Sequence, residues 1–341
     1  MKNRIVVAGN IIVDRFYPIA GYPDRGQLTT ILDGIGQSVG GAVCNVGIDL
    51  KRLMPDTDVC ALGLVGEDED GEFALSVMRD AGVDVSMTGR RGTTSFTAVM
   101  SDSVTNERTF FQYRGANALL SEDSFDWDRL DCDILHAAYI LLLDALDEED
   151  GEYGTKMARL LAHSKERGIR TSIDVVSETG TRFSRLVPPA LRYTDLCVIN
   201  EIEAGQTTGI PLRDEDGSLI FAHVKPCLRA LFELGVGEWA VIHCPEGGFG
   251  MDKAGRFAAS GKIPTPPGYI KSKVGAGDAF CAGVLSAAHR GMTLSEAVRL
   301  GNAAAMVSLS VPGATEAMRT VGECLRAADR FGETELPAIP D

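Results

Sequence analysis

A chain of 341 residues with 45% hydrophobic and 24% charged residues is long enough for one large globular domain with a substantial core. Its net charge of −15 speaks against nucleic acid or an anionic membrane as the main partner, although backbone amides and a metal ion can still hold phosphate locally. The eight cysteines are widely scattered, with no Cys-x-x-Cys pair and no His/Cys cluster, so neither a disulfide framework nor a structural zinc site is expected.

The first residues lead straight into Ile5-Val6-Val7-Ala8-Gly9, which reads as a buried parallel strand and not as a signal peptide. No long uninterrupted apolar run follows, and a cytoplasmic protein is expected. From Arg15 to Val39 the chain is rich in Gly, Pro, Thr and polar residues without helical period, and strand-like pieces there fit a small sheet outside the core. A helix is predicted over 42–54, with Val46, Leu50 and Leu53 on one face. A strand follows at 59–65, then Gly66-Glu67-Asp68-Glu69-Asp70-Gly71 and a helix to about Ala81. Thr93–Met100 and Arg108–Tyr113 read as two strands of a hairpin joined by a polar turn over 101–107. Together with 15–39 this segment, 93–114, is expected to form a lid.

Beyond Leu130 strand and helix alternate. Strands are predicted at 134–137, 171–175, 196–199 and 239–244, with 248–251 pairing back. Helices are predicted at 153–165, 201–208, 224–234, 279–290 and 294–309, with Gly283, Ala287, Ala303 and Ala304 allowing close packing. The pattern implies an α/β fold, a doubly wound and mostly parallel sheet flanked by helices, with ligands at the carboxyl ends of the strands. Residues 1–330 make one domain on this reading, and 331–341 a loosely held tail.

The stretch with the most chemistry is Lys273-Val274-Gly275-Ala276-Gly277-Asp278-Ala279-Phe280. Two glycines and an alanine open a helix whose first N–H groups lack internal partners and can hold an anion. Asp278 beside them repels phosphate as a simple ligand, yet suits a base that takes a proton from an attacking hydroxyl. A favourable charge for the helix dipole is the plainer alternative. Gly40-Gly41-Ala42-Val43-Cys44-Asn45 again sets glycines before a helix, either as a turn or as a place where a small polyol meets backbone and amide. Asn10 and Asp14 follow the first strand, and a carboxylate there accepts hydrogen bonds from vicinal hydroxyls. Asn200-Glu201-Ile202-Glu203 follows a strand and reads equally as a helix cap or as a second-shell support for Mg²⁺.

Taken in this order, these motifs resemble the ribokinase-like (pfkB-type) carbohydrate kinases over nearly the whole chain, from Asn10 to Gly313. The resemblance implies an ATP-dependent kinase for a small sugar of the ribose or fructose type, acting on a hydroxyl that is expected to be primary. Asp278 would be the base, and the amides of Gly275, Ala276 and Gly277 would hold the transferring phosphoryl. Asn10, Asp14, Gly40, Gly41 and Asn45 would hold the sugar. Asn200 and Glu203 would organise Mg²⁺ through water, with Gly247, Lys273 and Asn302 on the nucleotide side. Two departures stand out. Family members commonly carry an Asp-Thr pair before the tetrad, where many bind a monovalent cation; Ser272 and Lys273 occupy those places. Either the Lys273 ammonium replaces that cation or neutralises phosphate, or it is a loop lysine facing solvent. Where a Thr-x-Gly segment usually touches the nucleotide, the chain reads Ile242-His243-Cys244-Pro245-Glu246-Gly247-Gly248, with His243 read as a packed strand-end residue.

Two other readings remain open. Phe96, Phe110, Phe111 and Tyr113 would give a nucleoside kinase a stacking wall. The altered segments would also fit a catalytically silent sugar-binding protein. A homodimer through the lid is expected, because an isolated two-stranded sheet is a poor stable unit.

Overall fold

The computed structural model describes residues 2–105, 107–177 and 181–340. Along the chain, β1 (Arg4–Gly9) is followed by β2 (Ile12–Ile19), β3 (Gly36–Gly40), α1 (Ala42–Leu53), β4 (Asp58–Val65), α2 (Glu69–Asp80) and β5 (Asp84–Arg90). The hairpin strands β6 (Phe96–Asp102) and β7 (Arg108–Tyr113) lead through two short 3₁₀ turns to β8 (Ile134–Ile140), α3 (Asp144–Asp147), β9 (Glu149–Asp150) and β10 (Gly154–Thr155). Next come α4 (Lys156–Glu166), β11 (Arg170–Val175), α5 (Phe183–Leu191), β12 (Leu196–Asn200), α6 (Glu201–Thr208) and α7 (Phe221–Glu233). The chain closes with β13 (Trp239–Cys244), β14 (Gly247–Asp252), β15 (Phe257–Gly261), α8 (Ala276–His289), α9 (Leu294–Ser308) and α10 (Val321–Phe331).

Nine strands form the main sheet in the order β15-β14-β13-β12-β11-β8-β1-β4-β5. The seven from β13 to β5 are parallel, and β14 and β15 return antiparallel at one edge. Both faces of this sheet are covered, as the alternation in β1 makes plain. Ile5 and Val7 join a core cluster with α1, α2, α8, α9 and α10, while Val6 and Ala8 join the opposite one with α4, α5, α6 and α7. The doubly wound arrangement expected from the sequence is therefore present. On the first face α8 and α9 touch backbone to backbone: a Cβ on Gly283 would lie 2.8 Å from Gly301 Cα.

A separate sheet has the order β3-β2-β6-β7, with β2 and β6 parallel and both outer pairs antiparallel. It draws on the two segments expected outside the core, although β2 already starts at Ile12. Several elements depart from expectation. β5 and β15 are strands the sequence pattern does not reveal, and they are the two edges of the main sheet. Edge strands have one neighbour and bury less, so they lack a long apolar run. α5 carries Pro188 and Pro189 inside the helix and is held by the burial of Phe183, Leu186, Val187, Ala190 and Leu191. α10 closes the first core through Val321, Cys324 and Ala328. β8 runs to Ile140 and does not stop at Ala137. In the tail, Thr334 N–H donates to Lys262 O at 2.9 Å, and Leu336 and Ile339 pack against the second core cluster.

Candidate active site

The carboxyl ends of four neighbouring strands, β13, β12, β11 and β8, bring His243, Asn200, Asp174 and Tyr139 to one side of a cleft of about 270 Å³. The start of α8, with Lys273, Gly275, Ala276, Gly277 and Asp278, forms the other side. Gly275 caps α8 in the left-handed region (φ +77°), and a Cβ there would also meet Ala314 at 2.7 Å, so the turn is closed to other residues. The amides of Ala276, Gly277 and Asp278 occupy the first helical turn, where N–H groups have no intrahelical acceptor.

Asp278 is only 8% exposed. Tyr139 Oη donates to its Oδ1 at 2.5 Å and Asn45 Nδ2 to its Oδ2 at 2.9 Å. Burial pushes the carboxyl above the ordinary range and the two donors partly offset that push. The result is an ionisable group more basic than a surface aspartate, fixed in orientation by two hydrogen bonds. Tyr139 is itself pushed well up, first by burial and then by the neighbouring carboxylates, and is a phenol donor across neutral pH.

The sugar-side candidates divide in two. Asn10 is buried and its side chain serves the backbone: Oδ1 accepts from Tyr139 N–H at 2.7 Å and Nδ2 donates to Leu142 O at 3.3 Å. It thereby holds the segment that carries the Tyr139 phenol. Gly41 (φ +82°) lies against Asn10 O, where a Cβ would come within 2.5 Å. Gly40 lies against Asp14, where a Cβ would come within 2.5 Å of Oδ2. Asp14 is half-buried on β2, and burial raises its carboxyl while Thr97 on β6 holds it down. Asn45, on α1, reaches Asp278 directly.

On the opposite side, Asn200 and Glu203 make the reciprocal cap of α6. Asn200 Oδ1 accepts from Ile202 N–H and Glu203 N–H, each at 2.9 Å, and Glu203 Oε2 accepts from Asn200 N–H at 2.9 Å. Ser177 joins the two, donating to Glu203 Oε1 at 2.8 Å and accepting from Asn200 Nδ2 at 2.8 Å. The cap and the cleft position are compatible: the hydrogen bonds that start the helix also fix the acidic group. Glu203 and the buried Asp174 repel one another, and burial pushes both carboxyls up. Among the described residues no group of three His, Cys, Asp or Glu side chains is placed to ligate a metal ion. This donor set fits Mg²⁺ held through water and nucleotide phosphates, and does not fit an all-protein cage.

Lys273 is exposed at the mouth of the cleft, and no ion pair engages it among the described residues. His243 packs its ring on Phe280, 5.0 Å between centroids, and burial lowers it to about 4, so it is neutral. Gly247 and Asn302, like Asn10, Asp14, Gly40, Gly41 and Asn45, are not part of the cleft lining. Gly247 starts β14 opposite Gly261, and the Asn302 amide ties α9 to β15, donating to Ser260 O at 2.8 Å and Gly261 O at 3.3 Å. Sequence reasoning missed Tyr139, Asp174 and Ser177. Asp174 had a usable signal, a carboxylate at the end of a predicted parallel strand.

Among curated proteins, the chain is 24% identical over 292 residues to a 5-dehydro-2-deoxygluconokinase of Shouchella clausii, covering 84% of each. It is 23% identical to fructokinase-1 of Zea mays, covering 96% of this chain and 98% of that one. Its fold matches the solved Arabidopsis thaliana ribokinase in complex with ribose and ATP, with a TM-score of 0.79 at 20% identity over 95% and 98% of the two chains. No helix among the described residues is long and apolar enough to cross a membrane. The family model for pfkB family carbohydrate kinases matches residues 2–321, so the chain belongs to that family and is a phosphotransferase with an alcohol acceptor.

Proposed function

We propose that this kinase transfers the γ-phosphoryl group of ATP to a hydroxyl, the primary one, of a small sugar of the ribose or fructose type. The observation that carries the reading is Asp278, buried at the first turn of α8 with two donors aiming its carboxylate into the cleft. In the transfer, the sugar hydroxyl gives its proton to Asp278 as its oxygen bonds to the γ-phosphorus, and the bond to ADP breaks. The amides of Gly275, Ala276 and Gly277 take up charge on the transferring group. Asp14, Gly40 and Gly41 would meet the sugar, with Asn10 and Asn45 placing Tyr139 and Asp278. Asn200 and Glu203 would hold the water shell of Mg²⁺, which when bound neutralises phosphate charge. Lys273 would meet phosphate at the mouth, and Gly247 and Asn302 would lie toward the adenine. The small sheet acts as a lid that keeps water from the transfer.

The test is ADP release with Mg-ATP across ketohexoses, pentoses, deoxy-ketoacids and nucleosides. Turnover on a sugar, lost by about 10²-fold or more in Asp278→Asn while ATP binding holds in calorimetry, is the expected outcome. Near-normal turnover in that variant removes Asp278 as the base. Preference for adenosine would replace the sugar with a nucleoside, for which the exposed Phe110 and Phe111 supply stacking surface. Sugar binding without turnover would make the chain a silent binder.

A further inference from the structure

Six buried side-chain polar atoms make no hydrogen bond among the described residues, and three of them belong to one turn of α1: Asn45 Oδ1 and both oxygens of Asp49. Asp49 is fully buried and Asn45 5% exposed. The spacing i, i+4 sets the two side chains on one helix face, and the backward tilt of Cα–Cβ bonds carries Asp49 over the turn of Asn45. An unpaired buried polar group is costly, so three together call for a common explanation.

Ionisation makes the problem worse. A carboxylate offers only acceptors, and Asn45 Oδ1, one turn back on the same helix face, is another acceptor. The charged or titratable groups around Asp49 are Asp278 at the head of α8, Glu316 in the segment after α9, Cys324 on α10 and Arg52 on its own helix. Arg52 is the one cation among these, and its guanidinium donates to Thr315 O. Burial first, then Asp278, pushes the Asp49 carboxyl well above the ordinary range. A single proton removes the buried charge and pairs two of the three atoms, turning one Asp49 oxygen into a donor to Asn45 Oδ1.

That bond has a consequence at the cleft. With its oxygen taken, the Asn45 amide is locked with nitrogen on Asp278 Oδ2; turned over, it would set oxygen against carboxylate. We infer that Asp49 is a positioning residue whose carboxyl proton bridges to the Asn45 amide oxygen and so fixes the donor that orients Asp278. The inference rests on the reading of Asp278 as the base.

The experiment uses the full chain with Asp49→Asn, Asp49→Leu, Asn45→Ala and Asp278→Asn. Infrared difference spectra at pH 7 should show a protonated carboxyl band in the wild type that Asp49→Asn removes and Asn45→Ala shifts. Asp49→Asn keeps a donor and should keep the acid limb of kcat/KM. Asp49→Leu should move that limb up by about one pH unit, the size of one hydrogen bond to a charged group, with KM for ATP unchanged. A missing band, an Asp49→Leu variant with the wild-type limb, or an Asp49→Asn variant that shifts like leucine overturns the inference. If Asp49→Leu fails to fold, the infrared arm decides. Turnover surviving in Asp278→Asn would instead sink the base assignment, and the band and its response to Asn45→Ala would still decide the bridge.

Discussion

Asp278 is pulled in two directions, and with Asp278 as the proposed base the balance would set the pH at which the kinase works. Burial favours the neutral acid, whereas the Tyr139 phenol and the Asn45 amide favour the carboxylate. The base acts only when deprotonated, so turnover rises with pH through its folded-state value, and anything that raises that value moves the rise to higher pH. Tyr139→Phe removes one of the two donors. Its acid limb should therefore move up by about one pH unit, because a hydrogen bond to a charged group is worth roughly that much. A pH profile of kcat/KM checks it, and an unmoved limb would mean that water or substrate already supplies the donor. Lys273 allows a second test. Its ammonium stands at the mouth of the cleft with no ion pair among the described residues, free to meet phosphate. Lys273→Met should raise KM for Mg-ATP about tenfold, as loss of one charge-assisted contact implies, with little change in kcat. In the wild type, turnover should be the same in potassium and in a large organic cation; strong potassium activation would sink the idea that Lys273 replaces a cation.

Elements with local start and stop signals are disclosed by the sequence, and elements held by tertiary burial are not. α6 begins and ends at the residues predicted for it because its signals are local: an Asn-x-x-Glu box at the start and Gly209 in the left-handed region at the end. α5 is not legible locally because Pro188 and Pro189 argue against a helix, and only tertiary burial outweighs them. The predicted strand ends at Ala137 while β8 runs on to Ile140, and the three further residues include Tyr139, so the phenol that holds Asp278 lies beyond the predicted strand end. The cap of α6 also gives an element-scale prediction, since cap and site share Asn200. Asn200→Ala should cost about 1 kcal/mol of stability, read as a lower urea midpoint with unchanged slope. Asn200→Asp keeps an acceptor at the cap and should hold the midpoint, yet it loses the donor to Ser177 and adds charge beside Glu203. Its turnover should fall although its stability does not. Equal losses in both variants would show that Asn200 matters to the cleft only by starting the helix.

At the scale of the molecule, the site is assembled from pieces far apart in the chain: Asn45 on α1, Tyr139 on β8, Asp174 on β11, Asn200 on β12 and Asp278 on α8. Local patterns mark each piece, and the order of strands in the sheet decides which meet; β13, β12, β11 and β8 are neighbours although they span residues 134–244. That order is a property of long-range packing, and no single stretch encodes it. The small sheet poses the remaining whole-molecule question. All six residues of β7 are exposed and the strand has one neighbour, so one row of its backbone N–H and C=O groups is unpaired. Phe110, Phe111 and Tyr113 are 62%, 55% and 47% exposed on it. An edge that is both unpaired and aromatic is unusual for a strand that stays in water, where charge, proline or a bulge normally protects it. A second copy of the chain, meeting this sheet with its own, would cover the edge and stiffen the sheet proposed as the lid. Sedimentation equilibrium should then find a dimer at micromolar concentration that Phe110→Asp with Phe111→Asp converts to monomer. The same double variant should raise KM for the sugar more than KM for ATP, because Lys273 and Glu203, the residues proposed for the nucleotide side, lie in the segment before α8 and on α6, outside the small sheet. A monomeric wild type would leave the aromatic edge to the lid alone, and a double variant that stays dimeric would move the interface to another face.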